Sequence, residues 1–206
     1  MVSQPDSRAR LLQAAATEFA ARGFDGAKVD RIAERARVNK AMVYYHFTNK
    51  AALYREILRD VFGAVADAVE AVPARGGSAK AQIHAFIRAV ATNAVARPHF
   101  PPIWLREIAE GGRHLEAPVV DEINRVLRTL VTILESGRRG GQFRKVHPLV
   151  VQMGIVAPLL LFQASAPARE RLRAASPFAK PDLTLDAVIE YVQGATLAAL
   201  ARRRQS

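Results

Sequence analysis

Residues 29–50 read VDRIAERARVNKAMVYYHFTNK, and this stretch decides the predicted fold of the chain. Apolar residues in its first part recur at i, i+3, i+4 and i+7, the pattern of one face of a helix. These residues are Val29, Ile32, Ala33 and Ala36. A turn at 37–39 separates this helix from a second one, Lys40–Phe47, for which Asn39 is the predicted N-cap. Two short helices joined by a tight turn, with a third helix before them, predict a helix-turn-helix unit, whose second helix enters the major groove of DNA.

The second helix carries residue types that suit contact with double-stranded DNA. Lys40 places a cation at the start of the helix, where base edges are reached first. Ala41 is small, so the helix can approach the groove floor and a thymine methyl closely. The hydroxyls of Tyr44 and Tyr45 are expected to reach phosphates or bases while the rings pack. For either tyrosine the alternative is packing against the first helix.

Phosphate contacts are predicted for two residues at the far end of this segment. His46 can donate to a phosphate, and Lys50 lies in the first turn of the next helix, where backbone N–H groups also attract anions. The alternative for Lys50 is an ordinary solvated lysine at a helix start.

The charge balance favours a polyanionic partner. The 206 residues carry a formal net charge of +11, and residues 1–55 alone hold ten Lys or Arg against five Asp or Glu. Such a surplus attracts nucleic acid or an anionic membrane surface, although a surface rich in arginine explains part of it.

The rest of the chain continues the helical pattern, because its apolar residues repeat at three and four rather than at two. The predicted helices are Pro5–Arg22, Lys28–Ala36, Lys40–Phe47, Lys50–Val72, Ser78–Ala96, a segment opened by Pro101 and Pro102 and ending at Glu110, Ala117–Gly137, Pro148–Ala164, a short Ala168–Ala174 and Leu185–Arg203. Ser78 and Thr184 are predicted N-caps. The predicted class is therefore all-α, with a helix-turn-helix domain at 1–50 and a helical domain for ligand binding and dimerisation at 51–206.

The N-terminal residues resemble a known family. The stretches Ala14–Phe24, Val29–Ala36 and Tyr44–Lys50 are similar to the N-terminal domain of the TetR family, the tetracycline-repressor-like regulators, over about Arg8–Tyr54. The resemblance implies an all-helical homodimer of about nine helices, in which each head reads half of a near-palindromic operator. It also implies DNA contacts by the residues that match the family's contacts, which are Lys40, Ala41, Tyr44, Tyr45, His46 and Lys50. The family often has threonine at the position of Val29, and we expect Lys28 to replace the phosphate contact that valine cannot make.

The C-terminal domain supplies candidates for a ligand pocket and a dimer interface. The predicted pocket-lining residues are Phe62, Phe86, Asn93, Phe100, Trp104, Met153 and Phe162, with Arg106 and Gln163 as further polar anchors. A mostly apolar pocket of this kind suits an aromatic or acyl-like molecule. The predicted dimer contacts are Gly154, Ala157, Val188, Val192 and Ala195. The alternative is that Pro148–Ala164 is simply the central helix of the monomer.

Several classes of site are not expected. The chain has no cysteine, which excludes disulfides and thiolate sites, and its five histidines are scattered without metal-ligand spacing. Glu107 and Glu110 share a helix face and are predicted to be a solvated surface pair rather than an acid–base couple. No catalytic residue, cofactor or metal is predicted. The longest apolar run, Leu149–Phe162, is shorter than the ~18 residues of a membrane span, so we expect a cytoplasmic protein without a membrane partner.

These patterns predict a DNA-binding transcriptional regulator, a repressor that a small-molecule effector releases from its operator. A ligand-independent regulator or an activator is the alternative. More remote alternatives are a helical small-molecule-binding protein or enzyme with a basic head, and a peripheral membrane protein that uses Arg138, Arg139, Arg144 and Lys145 on anionic lipid.

Overall fold

The computed structural model describes residues 6–175 and 183–201, which form ten α-helices and no β-strand. The helices are α1 (Ser7–Gly26), α2 (Val29–Ala36), α3 (Lys40–His46), α4 (Lys50–Ala74), α5 (Ala79–Ala96), α6 (Phe100–Ala109), α7 (Ala117–Arg139), α8 (Pro148–Ala164), α9 (Ala166–Ala175) and α10 (Leu185–Leu200). The predicted all-α class is confirmed. The predicted helix ends at Pro5 and Arg203 lie outside the described residues.

Three helices begin directly after the N-cap residues predicted from the sequence. The side chains of Asn39, Ser78 and Thr184 accept hydrogen bonds from backbone N–H groups in the first turns of α3, α5 and α10. Gly23, with φ of +69°, interrupts α1 at the position predicted to follow its end. Local capping and glycine chemistry therefore explain these four boundaries.

The described residues form two compact units that interleave along the sequence. Unit 1 contains the residues up to Phe62 together with His99–Val120, and unit 2 contains Gly63–Pro98 together with the residues from Asp121 onward. The predicted boundary at residue 50 differs from this division, because α6 and the segment after it pack with the N-terminal helices.

Unit 1 is built around the packing of α1 on α2. Phe19 and Ile32 are fully buried, and the Phe19 ring meets the Tyr54 ring edge-on at a centroid distance of 4.9 Å. Glu18 is also buried, and Arg31 donates to its Oε1 at 2.6 Å. Burial raises the pKa of Glu18, but the hydrogen bond and positive charge of Arg31 outweigh this, so its pKa lies below the ordinary value. The ion pair thus holds α2 against α1.

Unit 2 has an apolar core to which α5, α7, α8 and α10 each contribute a buried stripe. Its buried members include Ile83, Phe86, Ile87, Leu130, Ile133, Ile155, Leu159 and Val192. Full burial of one such side chain contributes roughly 1.5–3 kcal/mol. Gln193 of α10 donates to the carbonyl of His84 in α5 at 3.2 Å, which adds one polar tie between two of these helices.

Candidate nucleic-acid interface

The helix-turn-helix unit consists of α2, the turn at 37–39 and α3. Val43 of α3 and Phe47, which follows the helix, are buried in unit 1, so one face of α3 is held against α1 and α2. Asn39 fixes the start of the helix, because its Oδ1 accepts from the backbone N–H of Met42 at 2.9 Å. The opposite face of α3 is left open to solvent.

Two tyrosines dominate that open face. The Tyr45 side chain is 80% exposed and that of Tyr44 is 48% exposed, so neither packs as a core residue. Ala41, one turn earlier, is exposed as well. A short rigid helix with a small residue and two projecting aromatic hydroxyls has the shape and chemistry to enter a DNA groove.

Lys40 begins α3 and is held by an acidic neighbour. Its Nζ lies 2.8 Å from Oδ1 of Asp30 in α2, and both side chains are largely exposed. The hydrogen bond and the charge of Asp30 raise the pKa of Lys40, so the ammonium is fully charged at neutral pH. The ammonium has three N–H donors, so the contact with Asp30 leaves donors for a further acceptor.

The two flanking candidates occupy different environments. Nε2 of His46 lies 2.9 Å from Oγ of Ser7 at the start of α1, which orients the ring. Lys28 is exposed immediately before α2, and the start of α2 has no side-chain cap. Its free N–H groups and the lysine are therefore both available to an anion at this position.

Lys50 makes contacts within the chain that the sequence did not indicate. Its ammonium donates to the backbone carbonyls of Phe24 at 2.9 Å and Ala27 at 3.2 Å, and it lies 4.5 Å from the centre of the Phe24 ring. These contacts use the lysine to hold the segment between α1 and α2. The sequence could not show this, because the carbonyls come from residues more than twenty positions earlier in the chain.

We therefore expect Lys50→Met to destabilise the protein by about 1–3 kcal/mol, since it leaves two carbonyls without their charged donor. Urea unfolding at fixed protein concentration measures this loss. The dependence of DNA affinity on salt is expected to stay as in the wild type. An unchanged unfolding midpoint together with a flatter salt dependence would restore the phosphate role.

A buried carboxylate of α6 connects α4 to the loop after α6 within unit 1. Glu107 of α6 is only 1% exposed and accepts from the Tyr54 hydroxyl at 3.0 Å and from the backbone N–H of His114 at 2.7 Å. The His114 ring packs against Phe24 at a centroid distance of 4.1 Å, with the two ring planes tilted by 45°. The prediction of a solvated Glu107–Glu110 pair is thus wrong for Glu107, because its oxygens have partners from α4 and from the loop after α6, which helix periodicity cannot reveal.

The comparisons with known proteins agree with this architecture. Residues 11–57 match the family model described as bacterial regulatory proteins, tetR family. The HTH-type transcriptional repressor KstR2 of Rhodococcus jostii is 30% identical over 142 residues, which cover 66% of this chain and 68% of that protein. The chain belongs to the TetR family.

Two further comparisons show that sequence similarity and structural similarity cover different lengths of the chain. The HTH-type transcriptional repressor SCO4008 of Streptomyces coelicolor is 44% identical over 52 residues, covering 25% of this chain and only 27% of that relative. A crystal structure of a tetR-family regulatory protein from Rhodococcus RHA1 covers 96% of this chain and 98% of its own at 18% identity, with a TM-score of 0.78. Close sequence similarity is thus concentrated in the TetR-family head, while the fold extends over the whole chain.

The predicted pocket residues are divided between the two units. In unit 1, the ring of Phe62 meets Phe100 at 5.2 Å and Trp104 at 4.8 Å, so these three form one aromatic cluster. In unit 2, Phe86 is buried in the core, and the Asn93 amide donates to Ala89 and accepts from Arg97.

The other two pocket candidates, both on α8, have separate surroundings. Met153 is 69% exposed, and the Phe162 ring is covered by the Arg169 guanidinium at 3.9 Å. Of the seven candidates, the three aromatic residues of unit 1 are in mutual contact. Arg106, a further anchor candidate, instead donates to the carbonyls of Phe19 and Ala20 in α1.

The predicted dimer residues fall into two groups. Gly154, Ala157 and Ala195 are exposed, whereas Val188 and Val192 lie in the core of unit 2. The two valines face inward because they share the buried stripe of α10 with Ile189 and Thr196, and this corrects their assignment to a dimer contact.

The exposed sides of α8 and α10, two helices that pack on one another, form what we name the α8/α10 face. Its residues are Val150, Met153, Gly154, Ala157, Leu161, Ala187, Tyr191, Gly194, Ala195 and Ala198.

In residues 6–175 and 183–201, no group of three or more His, Asp or Glu side chains is arranged to hold a metal ion. Within the same ranges no single helix has the length and apolar content to cross a membrane, and α8 with α9, bent by 64°, meets that test only as a pair. The cytoplasmic location stays a prediction.

Proposed function

We propose that this protein is a sequence-specific, DNA-binding transcriptional regulator that acts as a homodimer. The observation that carries the proposal is the solvent-exposed face of α3, where Ala41, Tyr44 and Tyr45 project from a helix fixed by Val43 and the Asn39 cap. The net charge of +11 supplies the long-range attraction to DNA. Family membership supports the same reading. The proposal includes no catalytic step.

A second copy is the proposed occupant of the α8/α10 face. A Cβ added at Gly154 or Gly194 meets no atom of the chain within 4 Å, so packing within the chain does not require glycine there. Glycine inside a helix costs roughly 1 kcal/mol relative to alanine, and small residues permit close approach of another helix. In the proposed two-fold dimer, the two copies of α3 enter successive major grooves, roughly 34–36 Å apart.

Regulation by a small molecule is the further part of the proposal. The aromatic cluster of Phe62, Phe100 and Trp104 is the best-defined apolar group for part of such a ligand. A ligand that changes the separation of the two heads needs a coupling of only ~1–3 kcal/mol to change operator affinity ~5–150-fold. The names of the two repressors described above favour repression, and an activator or a ligand-independent regulator is the alternative.

Fluorescence anisotropy with DNA from upstream of the protein's own gene tests the proposal. The DNA is titrated at two salt concentrations with a scrambled competitor present, and we expect tight binding that survives the competitor. Equal, salt-sensitive binding to both sequences there and in a genome-wide binding selection would contradict sequence-specific recognition. A bound effector that leaves operator affinity unchanged would contradict the switch.

We expect Tyr45→Ala and Lys40→Ala each to weaken binding to the operator by ~1–3 kcal/mol, with a much smaller effect on scrambled DNA, because both side chains are exposed on α3 and the proposal assigns them to base edges. Both are exposed, so the unfolding midpoint should stay near that of the wild type. Equal losses on operator and scrambled DNA would assign these residues to phosphates instead.

A further inference from the structure

The turn between α2 and α3 holds an arginine in a conformation that favours glycine. Arg37 has φ of 56° and ψ of 47°, and it is the only non-glycine residue at positive φ among the described residues. Its N–H donates to the carbonyl of Glu34 at 3.0 Å, and the N–H of Val38 donates to that of Ala33 at 3.0 Å. This is the Schellman arrangement at the end of a helix, in which the left-handed position is usually glycine because a Cβ is unfavourable there.

The side chain of Arg37 makes no polar contact with the described part of the chain that would offset this backbone conformation. Arg37 is exposed, and in the described part of the chain its guanidinium has neither a hydrogen bond nor an ion pair. A cation near the C-terminus of α2 does favour the helix dipole, but Arg35 in the last turn already supplies one. Unfavourable backbone conformations of this kind concentrate at functional sites.

The position of Arg37 leaves the guanidinium available to a binding partner outside the chain. Arg37 stands two residues before the Asn39 cap and three before Lys40, at the end of α3 that reaches base edges first. Phosphates border the groove that this end enters, and the guanidinium fork is well suited to bind two phosphate oxygens at once. Asp30, an acidic residue of α2, is already paired with Lys40.

We propose that Arg37 is a DNA-contacting residue that binds a backbone phosphate beside the recognition helix α3. The inference rests on the proposed function and adds a contact to it. Folding and DNA binding then favour different residues at position 37. Glycine fits the turn best, but it has no side chain to bind the phosphate.

Arg37→Gly, with two comparison variants, tests the proposal. Arg37→Lys keeps both the charge and the backbone constraint, and Arg35→Gln removes one exposed charge from the same helix at a position with ordinary helical geometry. Binding is measured by fluorescence anisotropy on a random-sequence DNA duplex long enough for two half-sites, across a series of salt concentrations. Stability is measured by thermal unfolding at one protein concentration.

We expect Arg37→Gly to raise the unfolding temperature by roughly 2–4 °C and to weaken binding roughly five- to tenfold. The slope of log K against log salt should fall by about 0.9 for each protomer. Arg37→Lys should keep most of the slope, and Arg35→Gln should keep both slope and affinity.

Three results overturn the inference. If Arg37→Gly binds with the slope and affinity of Arg35→Gln, Arg37 is only a surface cation. If Arg37→Gly lowers the unfolding temperature, arginine is not unfavourable at this turn. If the wild type shows no salt-dependent binding to the duplex, the proposed function fails and this contact fails with it, whereas wild-type binding with an unaffected Arg37→Gly contradicts the contact alone.

Discussion

Replacing Ala157 by glutamate is expected to convert the proposed dimer into monomers and to lower the affinity for DNA with two half-sites by roughly 10²–10⁴-fold. Ala157 lies in the middle of the exposed stripe of α8. In a two-fold dimer the same patch faces itself, so the change places two carboxylates in an apolar contact where neither has a partner. The loss in DNA affinity follows because each head then binds its half-site alone.

Sedimentation velocity and DNA anisotropy on the same samples measure these two effects. Thr92→Glu, which adds the same charge at an exposed position of α5, is the matched control and should leave both unchanged. The Ala157 variant should keep its helical circular dichroism, because the residue is exposed in the single chain. A dimer of wild-type affinity carrying Ala157→Glu would show that the α8/α10 face is not the interface.

Gly137→Ala is expected to destabilise unit 2 by roughly 3 kcal/mol, although alanine normally stabilises a helix interior by about 1 kcal/mol. A Cβ at residue 137 would lie 2.1 Å from Cδ2 and 2.4 Å from Cε2 of the buried Phe143 ring. The ring cannot move away easily, because the Phe143 N–H donates to the Gly137 carbonyl at 3.1 Å and the next residue, Arg144, donates to the Leu200 carbonyl at 2.9 Å.

Urea unfolding at fixed protomer concentration measures this effect, and Gly63→Ala in α4 is the matched control. The Cβ at Gly63 would meet only the Glu122 carboxylate at 3.6 Å, an ordinary contact, so that variant should be as stable as the wild type or more stable. Adding Phe143→Leu to Gly137→Ala should recover part of the loss through coupling of neighbouring residues. A fully stable Gly137→Ala protein would contradict the close packing of the ring.

The helix-turn-helix was predictable because its signals are local. Apolar spacing identified α2. The side chain of Asn39 caps α3 by accepting from the backbone N–H of Met42, three residues later. The outward direction of Tyr45 follows from the inward direction of Val43, since residues two apart on a helix point to different sides. The same local signals, read as family resemblance, indicated the family that the comparisons then showed.

The surroundings of charged residues were not predictable in this way. Lys50 and Glu107 have the spacing of surface residues, yet Lys50 binds carbonyls of the α1–α2 connection and Glu107 is enclosed by Tyr54 and His114. Their partners are 7–53 positions away in the sequence. Periodicity describes which face of a helix a residue occupies, but not what another element brings to that face.

The amino-acid sequence by itself determined the all-α class, most of the helix boundaries and the exposed chemistry of α3, because helix periodicity, capping and turn formation act over three to four residues. Only the tertiary structure decided that α6 belongs with the N-terminal head, that Val188 and Val192 face the core, that Phe143 requires glycine at position 137, and that Arg37 adopts a left-handed conformation. These features depend on contacts between distant segments and on the backbone path that satisfies them together, and neither is contained in the pattern of any single segment.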